Sequence, residues 1–430
     1  MELADIITHL FNRSLATSTC PESWKHSIIT PIPKVNPPSS YSDLRPISVT
    51  PILSRIFEKL LVRKFFLPAI PKRLLKDQFA FRPTGSTTAA LVNLFHNVTG
   101  MLETDDHVRC FLIDFSKAFD TVSHSVLLDK LVAYNCPQFV INWLTNFLTG
   151  RYQSVVSLSG SSSKLSISRS IIQGSGIGPA AFLAMIADLH PKCVSTVFSK
   201  YADDLTVVIP GSAVSHAGDE INNIVQWSVR NKLRLNMSKT KEIVLYKNGN
   251  KKVVLPPTIC NIEQVGAVKL LGVYFNCRLS FNGHVDSVLS IVNQRFYLIN
   301  QLRKQGLDLN GLNIVFNSLV LSRLTYACQA FSGFLSESDL NRLQSCLNKA
   351  CRWKLCSVRH DIREIFKRAD NRLFTQITSD YDHCLHQLLP DTRNSHGRYM
   401  RTRGHQYTLP LVNTSLHKAS FVVKCLYDFL

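Results

Sequence analysis

Two apolar, β-rich runs, residues 194–202 and 205–209, are separated by nothing but Asp203-Asp204. A gap that short predicts a tight antiparallel hairpin with both carboxylates at its tip, emerging from buried strands. A third acid, Asp114, ends another largely apolar run, residues 108–115, about ninety positions earlier. An Asp pair in a turn has an ordinary explanation, because Asp hydrogen-bonds its own backbone there. Three carboxylates converging at one sheet edge are a different matter, since they repel one another unless a cation joins them.

Oxygen ligands suit Mg2+, and two such ions roughly 3.5–4 Å apart activate an attacking hydroxyl and stabilise leaving phosphate oxygens. That is the geometry of nucleotidyl transfer, in which positioning and charge neutralisation supply most of the catalysis. Charge points the same way: 49 Lys and Arg against 30 Asp and Glu give a formal +19, a field that attracts phosphate backbones. The same charge would also keep a protein soluble, so the motifs must decide.

A length of 430 residues predicts two or three subdomains, and 45% hydrophobic residues exclude a disordered chain. The twelve Cys include no Cys-x-x-Cys pair, which argues against a disulfide framework or a zinc knuckle. Cys346, Cys351 and Cys356 are spaced by five, about 140° per helical step, and so do not share a face. His383, Cys384 and His386 lack a second ligand pair nearby and read as structural. No signal core and no apolar run of ~18–20 residues is visible, which predicts a soluble chain without a membrane partner.

Prolines at 31, 33, 37, 38 and 46 predict short strands and loops, rather than long helices, over the first hundred residues. Residues 51–66 are expected as an amphipathic helix, with Ile52, Ile56 and Leu60 beside Phe57 and Leu61, and Arg55, Lys59 and Arg63 between them. Residues 123–132 have helical spacing, and residues 152–172 read as a hairpin around Gly160-Ser161-Ser162-Ser163. A glycine-rich loop, residues 173–179, leads into an apolar helix at 180–189. Helical patterns dominate after residue 285, with a basic, loop-like patch at 393–406.

Five segments in order, Phe111-Leu-Ile-Asp-Phe-Ser-Lys-Ala-Phe-Asp120, Gln173-Gly-Ser-Gly-Ile-Gly-Pro179, Tyr201-Ala-Asp-Asp204, Asn236-Met-Ser-Lys239 and Leu270-Leu-Gly-Val273, resemble successive palm motifs of non-LTR retrotransposon reverse transcriptases. The likeness extends upstream through Trp24-Lys25, Tyr41-Ser-Asp-Leu-Arg-Pro-Ile47 and Asp77-Gln-Phe-Ala-Phe-Arg-Pro83, and is nearest to the Jockey-like and chicken-repeat branches of long interspersed elements. It covers residues 5–275 strongly and the helical remainder weakly.

The resemblance implies an α+β, right-hand polymerase: fingers and part of the palm in residues 1–107, a palm on an antiparallel sheet in 108–275, and a helical thumb with a C-terminal extension in 276–430. It implies that Asp114, Asp203 and Asp204 are the catalytic metal ligands for two Mg2+, with Mn2+ as a substitute. Phe119 matches the ring beneath the incoming sugar, which would clash with a 2′-hydroxyl and select deoxynucleotides. Arg45 and Arg55 match triphosphate-binding positions, Gln173 and Gly174 the loop against template and nucleotide, and Lys239 the lysine near pyrophosphate. Tyr201, Leu271 and Gly272 match primer and template positions. Plainer readings stay open: a core Phe at 119, surface charges at 45, 55 and 239, and an ordinary β-turn at 271–272.

The partners so implied are an RNA template, a DNA primer or target and deoxynucleoside triphosphates, acting in nucleus and cytoplasm as a ribonucleoprotein, although no targeting cluster is visible. Arg342, Lys349, Arg352 and Lys354 are expected to contact phosphates from the thumb. Ala180-Ala181 replaces a larger apolar pair, and Ala187 an Asn common before Asp188; neither removes a metal ligand. Complete elements carry an endonuclease ahead of the polymerase, so the chain is expected to be a fragment, a truncated copy or a domesticated gene. The alternative function is a catalytically inactive nucleic-acid-binding remnant, which the intact acids disfavour. An RNA-dependent RNA polymerase is disfavoured by Phe119.

Overall fold

The computed structural model describes residues 3–157, 160–247, 254–393 and 404–429. Most of the basic patch expected at 393–406 lies outside these residues. In chain order the elements that frame the site are β1 (His26–Pro33), β2 (Leu44–Val49), α1 (Ile52–Leu61), α2 (Thr87–Thr104), β3 (His107–Ile113), β4 (Arg151–Ser157), β5 (Leu165–Ile167), α3 (Gly178–Ile186), β6 (Val197–Tyr201), β7 (Asp204–Pro210), β8 (Lys241–Tyr246), β9 (Glu263–Gln264), β10 (Ala267–Leu270) and β11 (Val273–Asn276). Helices then run to the C-terminus, the longest being α4 (Asn282–Lys304), followed by α5 (Glu337–Arg352), α6 (Ile362–Ser379) and α7 (Phe421–Asp428).

The central sheet has the order β9-β8-β3-β7-β6 and is antiparallel except for the short β8–β9 pairing. It is covered on both faces, which is why its strands read as continuous apolar runs rather than alternating ones. Along β3, Val108 and Cys110 enter one core with α2 and the C-terminal helices. Phe111 and Ile113 enter the other, with Leu127, Val140, Trp143 and Phe182. A second sheet sets β1 between antiparallel β2 and parallel β4, with β5 on the far side of β4.

Three expectations need correction. The first hundred residues do contain long helices, Ala4–Ala16 and α2, because the prolines fall between them rather than inside them. In α1 the inward face is Ser54, Phe57, Glu58 and Leu61, whereas Ile52, Ile56 and Leu60 are exposed; a buried carboxylate with its own partners takes the place that hydrophobicity would have given an Ile. The β6–β7 loop is Ala202-Asp203, since Asp204 already pairs with Tyr201 as the first residue of β7. All twelve cysteines are free, and among the described residues no helix is long and apolar enough to cross a membrane.

Buried inside this sheet is an ion pair: Arg109 on β3 donates to both carboxylate oxygens of Glu242 on β8 and to the Pro257 carbonyl, with its guanidinium against the Phe111 ring. Gln264 donates a further bond to Glu242. Removing one partner strands the other charge, so Arg109→Met should lower the urea midpoint by the equivalent of about 3–5 kcal/mol. The double change Arg109→Met with Glu242→Met should recover most of that loss; a double variant no better than the single would refute the account.

Candidate active site in a basic cleft

Asp114 is the residue after β3, and its main chain is pinned by the loop that precedes β8. The Asn236 N–H donates to the Asp114 carbonyl at 2.8 Å, the Asp114 N–H donates to Thr240 Oγ1 at 3.3 Å, and the Ser116 N–H donates to the Arg234 carbonyl at 2.7 Å. On the neighbouring β7, Leu205 is opposite Ile113, so Asp204 and Asp114 leave the sheet side by side. Burial, followed by the Asp114 charge, raises the Asp203 carboxyl above the usual carboxylate range. Although Asp204 reaches solvent, the protein packed around it, then Asp203 and Asp114, push its carboxyl up to about 6. This mutual repulsion is the electrostatic signature of a site that favours added positive charge.

Asp114 and Asp203 open into a cleft of about 1150 Å³. Its lining also includes Phe119, Arg45, Gln173, Gly174 and Lys239, so most of the residues expected at the site from sequence come together there. Lys34 and Lys117 join the same lining, giving four cations in the cleft that holds the acids. The Phe119 ring is stacked on Phe182 with centroids 4.4 Å apart and is met edge-on by Phe81 at 6.5 Å.

The glycine-rich loop is held from three directions. The Ser48 N–H of β2 donates to the Gln173 carbonyl at 2.7 Å, and the Gln173 side-chain amide donates to Asp120 Oδ1 at 2.7 Å. From α1, buried Glu58 accepts the Ile177 N–H at 3.1 Å and the Ser54 hydroxyl at 2.7 Å; burial raises its carboxyl pKa, which these bonds partly offset. Gly174 has φ +113°, and a Cβ there would lie 2.3 Å from the Ser48 carbonyl oxygen, so no other residue fits.

Other expected positions stand elsewhere. Arg55 is exposed on α1 and does not line the cleft, because the inward face of that helix is turned to the glycine loop. Tyr201 ends β6 outside the lining, its phenol raised by burial, Tyr326 and Asp204. Leu271 and Gly272 form the β10–β11 turn with φ +45° and +85°. The Tyr326 hydroxyl donates to the Leu271 carbonyl at 2.9 Å and accepts from the Thr87 hydroxyl at 3.1 Å, which ties that turn to α2. Arg342, Lys349, Arg352 and Lys354 lie at α5 and just beyond it, away from the cleft, and Arg342 is engaged by Asp286 and Asp339. His383, Cys384 and His386 have hydrogen-bond partners and fall in no metal-binding group among the described residues.

Sequence reasoning missed Glu58 and Tyr326. Glu58 left one trace, a lone acid four residues after Ser54 on a helix; Tyr326 left none.

The family model described as reverse transcriptase (RNA-dependent DNA polymerase) matches residues 32–275, more than half of the chain. This chain belongs to the reverse transcriptase family. That family's right-hand polymerase fold is the α+β arrangement described above. Among curated proteins, the probable RNA-directed DNA polymerase from transposon X-element of Drosophila melanogaster is 26% identical over 363 residues, covering 80% of this chain and 39% of that protein. The RNA-directed DNA polymerase from mobile element jockey of Drosophila funebris is 24% identical over 399 residues, covering 85% of this chain and 43% of the relative. The chain thus spans about two fifths of the length of these relatives. Among solved structures, apo telomerase from Candida tropicalis superimposes with TM-score 0.45 and 12% identity, over 90% of this chain and 68% of the other.

Reverse transcriptases use divalent metal ions, and the donor set here, all carboxylate oxygen, suits a hard cation. Among the described residues no three acid, His or Cys side chains close on one point. A cation held by these carboxylates would complete its shell with oxygen ligands from outside the chain.

Two outcomes follow. A raised folded-state pKa means that the folded protein prefers Asp204 protonated, so stability falls as pH rises from about 4 through about 6 and the penalty is complete above that. Without divalent cation at pH 7.5, Asp204→Asn should therefore melt higher than wild type, and the gap should close as pH falls from about 6 toward 4 or on adding Mg2+. A gap unchanged by both would contradict the repulsion. Separately, Gly174→Ala adds about 1–3 kcal/mol of backbone strain to the clash with β2; it should lower the urea midpoint by at least that equivalent, and an unchanged midpoint would contradict the close approach of the loop to β2.

Proposed function

We propose that this chain is an RNA-directed DNA polymerase that extends a DNA primer on an RNA template during retrotransposition. The reading rests on one observation: a single cleft is lined by Asp114 and Asp203, by Lys34, Arg45, Lys117 and Lys239, and by Phe119. Such a cleft suits a deoxynucleoside triphosphate. The four cations neutralise its phosphates, and the loop at Gln173 and Gly174, with no Cβ in the way, presents backbone to nucleotide and template. The Phe119 ring, fixed by Phe182, bears on the sugar where a 2′-hydroxyl would stand. Asp114, Asp203 and Asp204 would hold two Mg2+, which when bound would lower the pKa of the primer 3′-hydroxyl and stabilise charge on the departing oxygens. The 3′-hydroxyl gives its proton to solvent as its oxygen bonds to the α-phosphorus, the α–β phosphoanhydride breaks, and pyrophosphate leaves beside Lys239.

In this reading residues 1–107 supply the fingers and part of the palm, 108–275 the palm, and 276–430 the thumb with a C-terminal extension. The thumb cations Lys349, Arg352 and Lys354 would grip the duplex. Action as a ribonucleoprotein in nucleus and cytoplasm follows from the family's route of integration.

The test is primer extension on an RNA template with Mg2+, comparing deoxynucleotides with ribonucleotides. Wild type should make DNA, Asp203→Asn should lose at least ~100-fold in rate, and Phe119→Ala should narrow the sugar preference by roughly tenfold or more. A soluble, template-binding wild type that extends nothing would instead favour the non-catalytic remnant, and RNA product would overturn the role of Phe119.

A further inference from the structure

The β6–β7 turn is built against its own residue preference. Ala202 adopts φ +54°, a left-handed conformation that costs a non-glycine residue of order 1 kcal/mol, and it sits directly before Asp203. A neighbouring segment holds it there. Residues 77–79 run along the outer edge of β6: the Lys200 N–H donates to the Asp77 carbonyl at 2.7 Å, and the Phe79 N–H donates to the Lys200 carbonyl at 2.8 Å. Lys200, fully buried, is paired with Asp77 at 2.9 Å, which fastens the segment to the strand. Between them lies Gln78, with no exposed surface. Its Oε1 accepts the Ala80 N–H at 2.9 Å and the Ala202 N–H at 3.2 Å.

We propose that Gln78 is a positioning residue that holds the Ala202-Asp203 turn in its left-handed form and so aims Asp203 into the cleft. The inference rests on the polymerase reading above only for its effect on rate. The Ala80 bond is local and would satisfy the 77–80 loop alone; the Ala202 bond reaches across 124 positions to the acidic turn. Among the described residues Gln78 Nε2 is buried without a hydrogen-bond partner, so the amide leaves its NH2 group unpaired in order to place its oxygen between two N–H groups. An amide also accepts these bonds without charge. A carboxylate in the same place would add a fourth negative group beside Asp114, Asp203 and Asp204.

The experiment compares wild type, Gln78→Met, which keeps length and volume but removes the acceptor, and Gln78→Glu, which keeps the acceptor. Three quantities are measured: amide hydrogen exchange of a peptide spanning Ala202, the Mg2+ concentration at half-maximal thermal shift, and kcat and KM for primer extension. In Gln78→Met, exchange at Ala202 should quicken at least ~10-fold while peptides from β3 and β8 are unchanged, and the Mg2+ midpoint should rise. Its kcat should fall roughly 10- to 100-fold, with the nucleotide KM and duplex affinity within about twofold of wild type. Gln78→Glu should keep the Ala202 protection.

A folded Gln78→Met with wild-type exchange, Mg2+ midpoint and kcat would overturn the proposal. Should Gln78→Met fail to fold, loss of Ala202 protection in a folded Gln78→Glu would overturn it equally. A wild type that protects Ala202 but extends no primer would sink the polymerase reading and leave the hydrogen bond standing.

Discussion

Strand register is the constraint on which the site depends. β3 is buried on both faces, with alternate residues committed to different cores, so a slip of one position would drive every side chain to the wrong side. With Ile113 opposite Leu205 and Tyr201 opposite Asp204, the acids of two strands are brought together at one end of the sheet. Their repulsion is borne by the apolar packing of the strands that they terminate. The sheet can tolerate an unfavourable cluster at its end because its interior is decided by Val108, Cys110, Phe111 and Ile113 and not by the carboxylates.

The wall facing the acids is assembled from parts that are distant along the chain. α1 contributes Glu58, β2 contributes Ser48, and the segment after β3 contributes Asp120; all three converge on the glycine-rich loop. Each bond replaces one that a free loop would make to water. The loop is therefore ordered before substrate binds, and Gly174 lets it lie against β2 without a side chain between them.

Much of this could be read from residues alone, and the failures have physical causes. The strands around Asp114, Asp203 and Asp204 announced themselves as apolar runs because both sheet faces are covered. The same patterning could not tell whether Asp204 belongs to the turn or to the strand, since that depends on its cross-strand partner Tyr201. Composition along 51–66 showed the helix and its inward Phe57 and Leu61 but added the exposed Ile52, Ile56 and Leu60, because Glu58 is inside on the strength of bonds to Ser54 and to a backbone N–H 119 positions away. Arg55 was placed at the cleft by motif position, and the rotation of that same helix carries it away. Tyr326 clasps the Leu271-Gly272 turn through a hydroxyl, a relation that no spacing encodes.

The core that receives α2 also contains Phe421, Val422, Cys425 and Leu426 from α7, and Glu103 near the end of α2 accepts backbone N–H bonds from Asn413 and Thr414. The apolar surface of an element made early in synthesis is thus sealed by one made some three hundred residues later. At ribosomal speeds of about 5–20 residues per second, that surface stays open for tens of seconds. During this interval the nascent chain depends on chaperones, or on its own collapse, to avoid association with other chains.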